Sequence, residues 1–328
     1  MTILVTGASG FLGSHIAEQL SQRGQKVRAL VRKSSNTKFL KSLPNVELAY
    51  GSVEDRASVL AAGEGVTGIV HAAGLVKARG PAEFLKVNTE GTENLLAAAL
   101  AQKAHLKRFV LVSSQAAGGP SDVLGTPKQV GQETEPVTHY GRSKLAAEAA
   151  ALRLKNELPI TILRPPAIYG PRDQEILIFF KSVDKGVLPL TSPLQAKFSM
   201  IYGADCAAAC LCALEANVPS GSVYYLEDGT PVSFADMIRL VEAAVGKRAW
   251  VRIPLPRPVV RTAALVTELY GRATNQAVML TRDKCNELFN QWVCDGSKAR
   301  SELAWNPEVD FAEGVKRTAQ WYKQNGWL

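Results

Sequence analysis

Thr6-Gly7-Ala8-Ser9-Gly10-Phe11-Leu12-Gly13 follows the apolar run Ile3-Leu4-Val5 and leads into Ser14–Arg23, whose apolar residues Ile16, Ala17 and Leu20 share a helical face. Glycines therefore stand where a strand must turn into a helix. Glycine permits the tight turn and lets backbone N–H groups approach anionic oxygens without an intervening Cβ, and the positive end of the helix adds favourable charge. A glycine triplet in isolation is a weak signal. Here a strand precedes it, a helix follows it and a second apolar run, Val27–Val31, comes next, which predicts the pyrophosphate-binding turn of a parallel α/β sheet.

Outward from that turn, short β-branched runs alternate with longer helical ones to about residue 165. Strands are expected at Ile3–Thr6, Lys26–Val31, Val46–Tyr50, Gly68–His71, Arg108–Ser113 and Ile160–Arg164, and the clearest helices at Glu83–Ala101 and Tyr140–Asn156. The pattern predicts a doubly wound parallel sheet, a Rossmann fold, with its ligand beyond the carboxyl ends of the strands. After Pro165-Pro166 the alternation fades. Helices are expected at Gln174–Lys185, Ala204–Ala216, Phe234–Val245, Arg257–Gly271, Arg282–Leu288 and Phe311–Asn325. This gives a dinucleotide-binding domain over 1–165 and a smaller, mostly helical substrate lobe over 166–328, with a soft boundary that the chain can cross back over.

A chain of 328 residues, 46% hydrophobic, is long enough for this plan. No apolar run approaches the roughly 20 residues that cross a bilayer, and MTILVTGASG reads as fold rather than a secretory signal, so a cytoplasmic protein with no integral membrane segment is expected. The net charge of +8 suits an anionic ligand, but the cations are scattered and no aromatic-basic module points to nucleic acid. Cys206, Cys210, Cys212, Cys285 and Cys294 lack zinc-like spacing, so no metal is expected. The mostly apolar stretch Arg257–Arg272 reads as a helix packed on the core, in preference to a membrane contact.

Tyr140-Gly141-Arg142-Ser143-Lys144 opens a helical segment, and a spacing of four places phenol and ammonium on one face, a turn apart. A lysine charge beside a tyrosine favours the phenolate and brings the group nearer to neutral-pH proton transfer. Ser113-Ser114 ends the apolar run Phe109–Val112, so a strand there delivers a hydroxyl to the ligand edge, where Ser114 can orient a substrate oxygen.

TGASGFLG (6–13), HAAG (71–74), VNTEGTENLL (87–96), VSS (112–114), YGRSK (140–144) and LRPPAIYGPRD (163–173) occur in this order. Through them the chain resembles the extended short-chain dehydrogenase/reductase superfamily, the NAD-dependent epimerase/dehydratase family, with its dihydroflavonol-reductase-like and 3β-hydroxysteroid-dehydrogenase-like branches. The resemblance implies a catalytic triad of Ser114, Tyr140 and Lys144 and hydride transfer between nicotinamide C4 and a carbinol carbon. It also implies dinucleotide contacts from Gly7, Ser9, Gly10, Phe11, Leu12, Gly13, Arg32, Ser52, Val53, Ala72, Ala73, Gly74, Asn88, Tyr140, Lys144, Pro165, Ala167 and Ile168. A homodimer, formed through the helices at Glu83–Ala101 and Tyr140–Asn156, is a further implication.

An NAD site normally carries an acidic residue at the end of the second strand, whereas Arg32-Lys33-Ser34-Ser35 stand here and can meet a 2′-phosphate. NADP is therefore favoured, with NAD as the alternative. Gln115-Ala116-Ala117 replace the acidic pair expected of a dehydratase; Gly118-Gly119 replace the tyrosine and glycine usual in epimerases, and this second departure leaves room for a bulkier or less polar substrate. The expected activity is an NAD(P)-dependent oxidoreductase acting on a secondary alcohol or ketone of a hydrophobic small molecule; the alternative is a redox-neutral nucleotide-sugar epimerase holding NAD. Arg172, Lys197 and Arg261 could contact a diphosphate in that alternative.

Overall fold

The computed structural model describes residues 1–122, 124–278 and 280–328. Seven strands form the central sheet: β1 (Thr2–Thr6), β2 (Lys26–Val31), β3 (Val46–Tyr50), β4 (Gly68–His71), β5 (Arg108–Val112), β6 (Ile160–Arg164) and β7 (Ser222–Tyr225). Their spatial order is β3-β2-β1-β4-β5-β6-β7, and every pairing is parallel. The chain is thus a doubly wound α/β fold with a helical C-terminal region. The order reverses between β1 and β4, where Thr6 pairs with His71. Connections leave to opposite faces there and open a crevice above the carboxyl edge.

Strand alternation builds a core on each face. Ile3, Val5, Val27 and Val110 point to one side, where helices α1 (Phe11–Gln22) and Gly203–Glu215 cover them; Leu4, Ile69, Phe109, Ile160 and Ile162 point to the other, against Gly91–Ala101 and His139–Arg153. Each such fully buried aliphatic side chain contributes about 1.5–3 kcal/mol. Cys206 and Cys210 lie within the first core, at 0% exposure, among Ile16, Ala17 and Leu20.

β7 escapes a reading by pattern because Ser222-Val223-Tyr224-Tyr225 is only four residues long and follows a lobe segment. The chain therefore returns to the sheet edge after leaving it at Arg164. Several C-terminal elements gather on a third core that includes Tyr169, Phe180, Ile238, Val241, Phe311 and Tyr322, while Val260, Ala264 and Cys285 form a small cluster of their own. Tyr322 stacks on Trp327 with centroids 5.7 Å apart.

Two expectations change. Glu83–Ala101 is not one regular helix: Pro81–Phe84 is α-helical, Leu85–Glu90 is a π-helical turn, and Gly91–Ala101 resumes the α form. The helix Arg257–Thr274 is not packed on the core, since Val260, Ala264 and Gly271 are its only buried residues.

Candidate active site

The glycine turn is shaped by close backbone approach. Gly7 adopts φ +71, where a Cβ would sit 2.8 Å from the Ala73 nitrogen and 2.9 Å from the Ala72 carbonyl, and a Cβ on Gly13 would collide with the Gly7 carbonyl oxygen. α1 starts from Gly10 with no side-chain cap and no acidic residue in its first turn. The first N–H groups of α1 therefore have neither a carboxylate nor a hydroxyl competing for them. A turn that admits no Cβ and leaves these donors uncapped suits a dinucleotide pyrophosphate. Ser9 and Gly10 are exposed, Phe11 and Leu12 half-buried. Phe11 meets His15 edge-on at 5.4 Å.

A chain of hydrogen bonds runs beneath this turn. The Ala73 N–H donates to Thr6 Oγ1 (3.2 Å), which donates to His71 Nδ1 (2.7 Å); His71 Nε2 donates to Thr92 Oγ1 (3.0 Å), which donates to the Asn88 carbonyl (2.6 Å). The direction follows from the Thr92 bond, because a hydroxyl that donates to a carbonyl must accept from the imidazole. Burial, helped by the Lys144 charge, lowers His71 to about 3 and keeps it neutral. Ala72 and Ala73, at the β4 end, are thereby held against Gly7.

The π turn gives Asn88 its place. Its Oδ1 accepts from the Leu75 N–H (2.8 Å), while Nδ2 donates to the Leu75 carbonyl (3.1 Å) and to Ser143 Oγ (2.9 Å). Ser143 Oγ donates in turn to the Tyr140 carbonyl (2.7 Å). Asn88 thus ties the loop after Gly74 to the first turn of α2 (His139–Arg153). A Cβ on Gly74 would lie 3.2 Å from Asn88 Oδ1 and 3.3 Å from Lys144 Nζ, so Gly74, Asn88 and Lys144 converge on one point.

α2 begins from the Thr138 cap, whose hydroxyl accepts from the Gly141 N–H at 3.1 Å. It presents Tyr140 and Lys144 one turn apart. Burial pushes the Tyr140 phenol up to about 12, against the opposing hydrogen bond from Ser114, and its ring leans on Phe84 at 6.1 Å. Burial lowers Lys144 to about 8, against the opposing Glu148 charge, and Nζ donates to the Val112 carbonyl at 2.8 Å. The two serines diverge as strand neighbours must. Ser114 meets Tyr140, while Ser113 donates to Glu148 Oε1.

Glu148 also holds Arg164, from the end of β6, in a two-point pair (2.9 and 2.6 Å), and Arg164 Nη1 donates to the Tyr225 hydroxyl at 3.1 Å. Sequence reading missed this buried clamp, although Glu148 lies four residues after Lys144 on the same face. The clamp also fills the space expected beside Gly118: a Cβ there would collide with the Tyr225 hydroxyl, so the glycine accommodates the protein's own tyrosine rather than a larger substrate. Gln115 is buried, and its carboxamide nitrogen has no partner among the described residues.

The C-terminal region closes the mouth. Helix α3 (Arg282–Leu288) brings Glu287, which accepts from Thr138 Oγ1 (3.0 Å), and Asp283, which accepts from the His139 N–H (2.7 Å) and pairs with Arg142 (3.1 Å). Val76, Phe84, Tyr140, Val278 and Glu287 line the small cleft between them.

Arg32 follows the last residue of β2, is exposed and makes no ion pair among the described residues. Ser52 and Val53 follow β3; Val53 is buried, and its carbonyl accepts from Asn94 (2.9 Å). Pro165, beyond β6, accepts from the Gln115 N–H (2.8 Å), and Ala167 and Ile168 pair with Met200 and Ile201. Arg172 is bonded to Glu18 and His15 (both 2.7 Å) and lies over Phe39 at 4.3 Å.

Relatives cover the whole length of this arrangement. A protein named "Ceramide reductase" from Caulobacter vibrioides is 32% identical over 332 residues, spanning 99% of this chain and 96% of its own. A "3 beta-hydroxysteroid dehydrogenase/Delta 5-->4-isomerase" from Mycobacterium tuberculosis is 29% identical over 345 residues, spanning 98% and 90%. Among solved structures, the dTDP-glucose 4,6-dehydratase DesIV from Streptomyces venezuelae, with NAD and TYD bound, superimposes with a TM-score of 0.81 over 100% of this chain and 98% of its own, at 24% identity. The sequence pattern described as the NAD dependent epimerase/dehydratase family matches residues 3–226, and the chain belongs to that family.

Proposed function

We propose that the protein is an NAD(P)-dependent oxidoreductase that interconverts a ketone and a secondary alcohol on an apolar small molecule. The observation that carries this reading is the junction of Ser114, Tyr140 and Lys144: a phenol beside a serine at the sheet edge, one helical turn from an ammonium pinned to the same strand. Gly7, Gly10 and Gly13 would hold the pyrophosphate, Lys144 and Asn88 would stand at the nicotinamide end, and Arg32 would meet the 2′-phosphate of NADP. The nicotinamide supplies or accepts the hydride.

In the reducing direction Tyr140 donates its proton to the substrate oxygen, Ser114 donates a hydrogen bond that orients that oxygen and shares its developing charge, and Lys144 lowers the cost of the phenolate left behind. Val76, Phe84 and Val278 offer an apolar approach to the phenol. Names given to two relatives, a ceramide reductase and a 3 beta-hydroxysteroid dehydrogenase, support an apolar substrate. The same reading makes residues 1–165 the dinucleotide domain, to which the chain returns with Gly203–Glu215 and Ser222–Tyr225, and the rest of 166–328 the substrate lobe. It forms a homodimer across the furrow lined by Leu96, Leu100, Ala150 and Leu154.

Tryptophan fluorescence titration with NADPH and NADH, followed by NADPH oxidation against steroid and long-chain ketones, tests the proposal. Saturable NADPH binding and turnover of an apolar ketone are expected. Retained NAD together with binding of a UDP- or dTDP-sugar would overturn it in favour of an epimerase.

A further inference from the structure

Helix Arg257–Thr274 carries an apolar stripe that none of the described residues covers. Of its 18 residues, Val260, Ala264 and Gly271 are buried; Val260 and Ala264 seat against Cys285 of α3. On the far side Val259 is 51% exposed, Val266 61%, Leu269 55% and Tyr270 60%. At the helical period these four lie within an arc of about 100°, the width that normally faces a core. Across the strand Val251–Pro254 that precedes the helix, Trp250 is 81% exposed and Ile253 44%.

Charge identifies the occupant. Between residues 247 and 274 the only acid is Glu268, committed to Arg282 at 2.9 Å; of the six cations there, Lys247 pairs with Asp184 and Arg252 with Glu242, while Arg248, Arg257, Arg261 and Arg272 make no ion pair among the described residues. Arg261 and Arg272 border the stripe on one side. A second copy of the same face would bring like charges together, whereas an anionic surface meets apolar stripe and cations at once. An exposed tryptophan beside arginines suits the boundary between headgroups and acyl chains.

We propose that this helix, with Trp250, seats the protein on a lipid bilayer bearing anionic headgroups, lying in the interface without crossing it. The seat adjoins the site: Thr267 Oγ1 donates to the Leu280 carbonyl, just before the Thr281 cap of α3, and α3 brings Asp283 and Glu287 to the cleft at Tyr140. Docking there puts α3, which forms one wall of the cleft, one helix away from the phase in which an apolar substrate dissolves. The inference rests on the helix surface and deepens the proposed activity. Vesicle binding is read without turnover, so either can fail alone.

The test is flotation of the full chain with vesicles of phosphatidylcholine and of phosphatidylcholine mixed with phosphatidylglycerol. Binding to the mixed vesicles is expected, at least about tenfold stronger than to neutral ones and weakened by salt. The triple variant Val266→Asp, Leu269→Asp, Tyr270→Asp should lower it by about tenfold or more, with dinucleotide titration unchanged because all three side chains are exposed. Failure to float with either vesicle, or equal flotation of the triple variant, overturns the proposal. So does a concentration-dependent dimer that these substitutions dissolve without any vesicle binding.

Discussion

Lys144 Nζ donates to the carbonyl oxygen of Val112 at 2.8 Å, which ties the ammonium of α2 to the last residue of β5, two residues before Ser114. Distance from Tyr140 is therefore set by strand and helix together, not by a free lysine rotamer. That rigidity matters because a proton relay loses efficiency steeply when a donor is displaced.

Replacing Tyr140 by Phe removes the proton donor and leaves the ring against Phe84. Turnover should fall by about 10²–10⁴-fold. Dinucleotide binding, followed by fluorescence, should change only a few-fold; a variant that keeps full activity would refute the role.

The pH dependence has a definite sign. Lys144 sits at about 8, below the ordinary lysine value because it is buried, and the Tyr140 phenol at about 12. Ketone reduction needs the phenol protonated and the ammonium charged. Both conditions hold at neutral pH, and the second is lost as pH rises through about 8. The kcat/KM profile for reduction should fall on its alkaline side there, and a profile that climbs through that region would count against the assignment.

Asn88→Ala deletes three bonds at once and leaves the Leu75 N–H without its partner. A loss of about 1–3 kcal/mol in stability is expected. Activity should drop further than stability explains, since the loop at Gly74 loses its anchor to Ser143. Thermal melts alongside kcat measured well below Tm separate the two effects.

Arg32→Asp should weaken NADPH about 10–100-fold more than NADH, the range expected from losing a charge-assisted contact to a phosphate. Equal losses for both dinucleotides would show that the guanidinium does not meet the 2′-phosphate.

Glu148→Ala leaves the Arg164 guanidinium buried without its carboxylate. The cost should be about 3–5 kcal/mol, seen in chemical denaturation, because breaking one side of a buried pair exposes the full desolvation penalty of the other. Where the variant folds, loss of the Glu148 charge should also move the alkaline limit of activity to lower pH, since that charge raises Lys144.

Local patterns were enough for much of this. β2, β3, β4 and β6 fall at their expected bounds, because alternation over four to six residues is written in neighbouring side chains. That Tyr140 and Lys144 lie one turn apart was legible because helical spacing places them on one face independently of the rest. Ser113 and Ser114 could not be told apart by composition; which one faces the phenol depends on the strand's rotation in the sheet. The π turn was hidden for a related reason, since Leu85–Glu90 carries no residue foreign to an α-helix, and the bonds from Asn88 to Leu75 and Ser143 accompany the wider turn.

The amphipathic pattern of Arg257–Thr274 told of an apolar face but not of what lies against it. Chain chemistry alone thus established the strand-glycine-helix turn, the parallel alternation and the tyrosine-lysine pair, all of which depend on residues within a few positions of one another. Three-dimensional packing decided the rest: the His71 bond network, the Glu148–Arg164 clamp, the return of β7 to the sheet edge and the bare stripe beside α3. Each depends on groups many residues apart in the chain, and no local periodicity records which of them will meet.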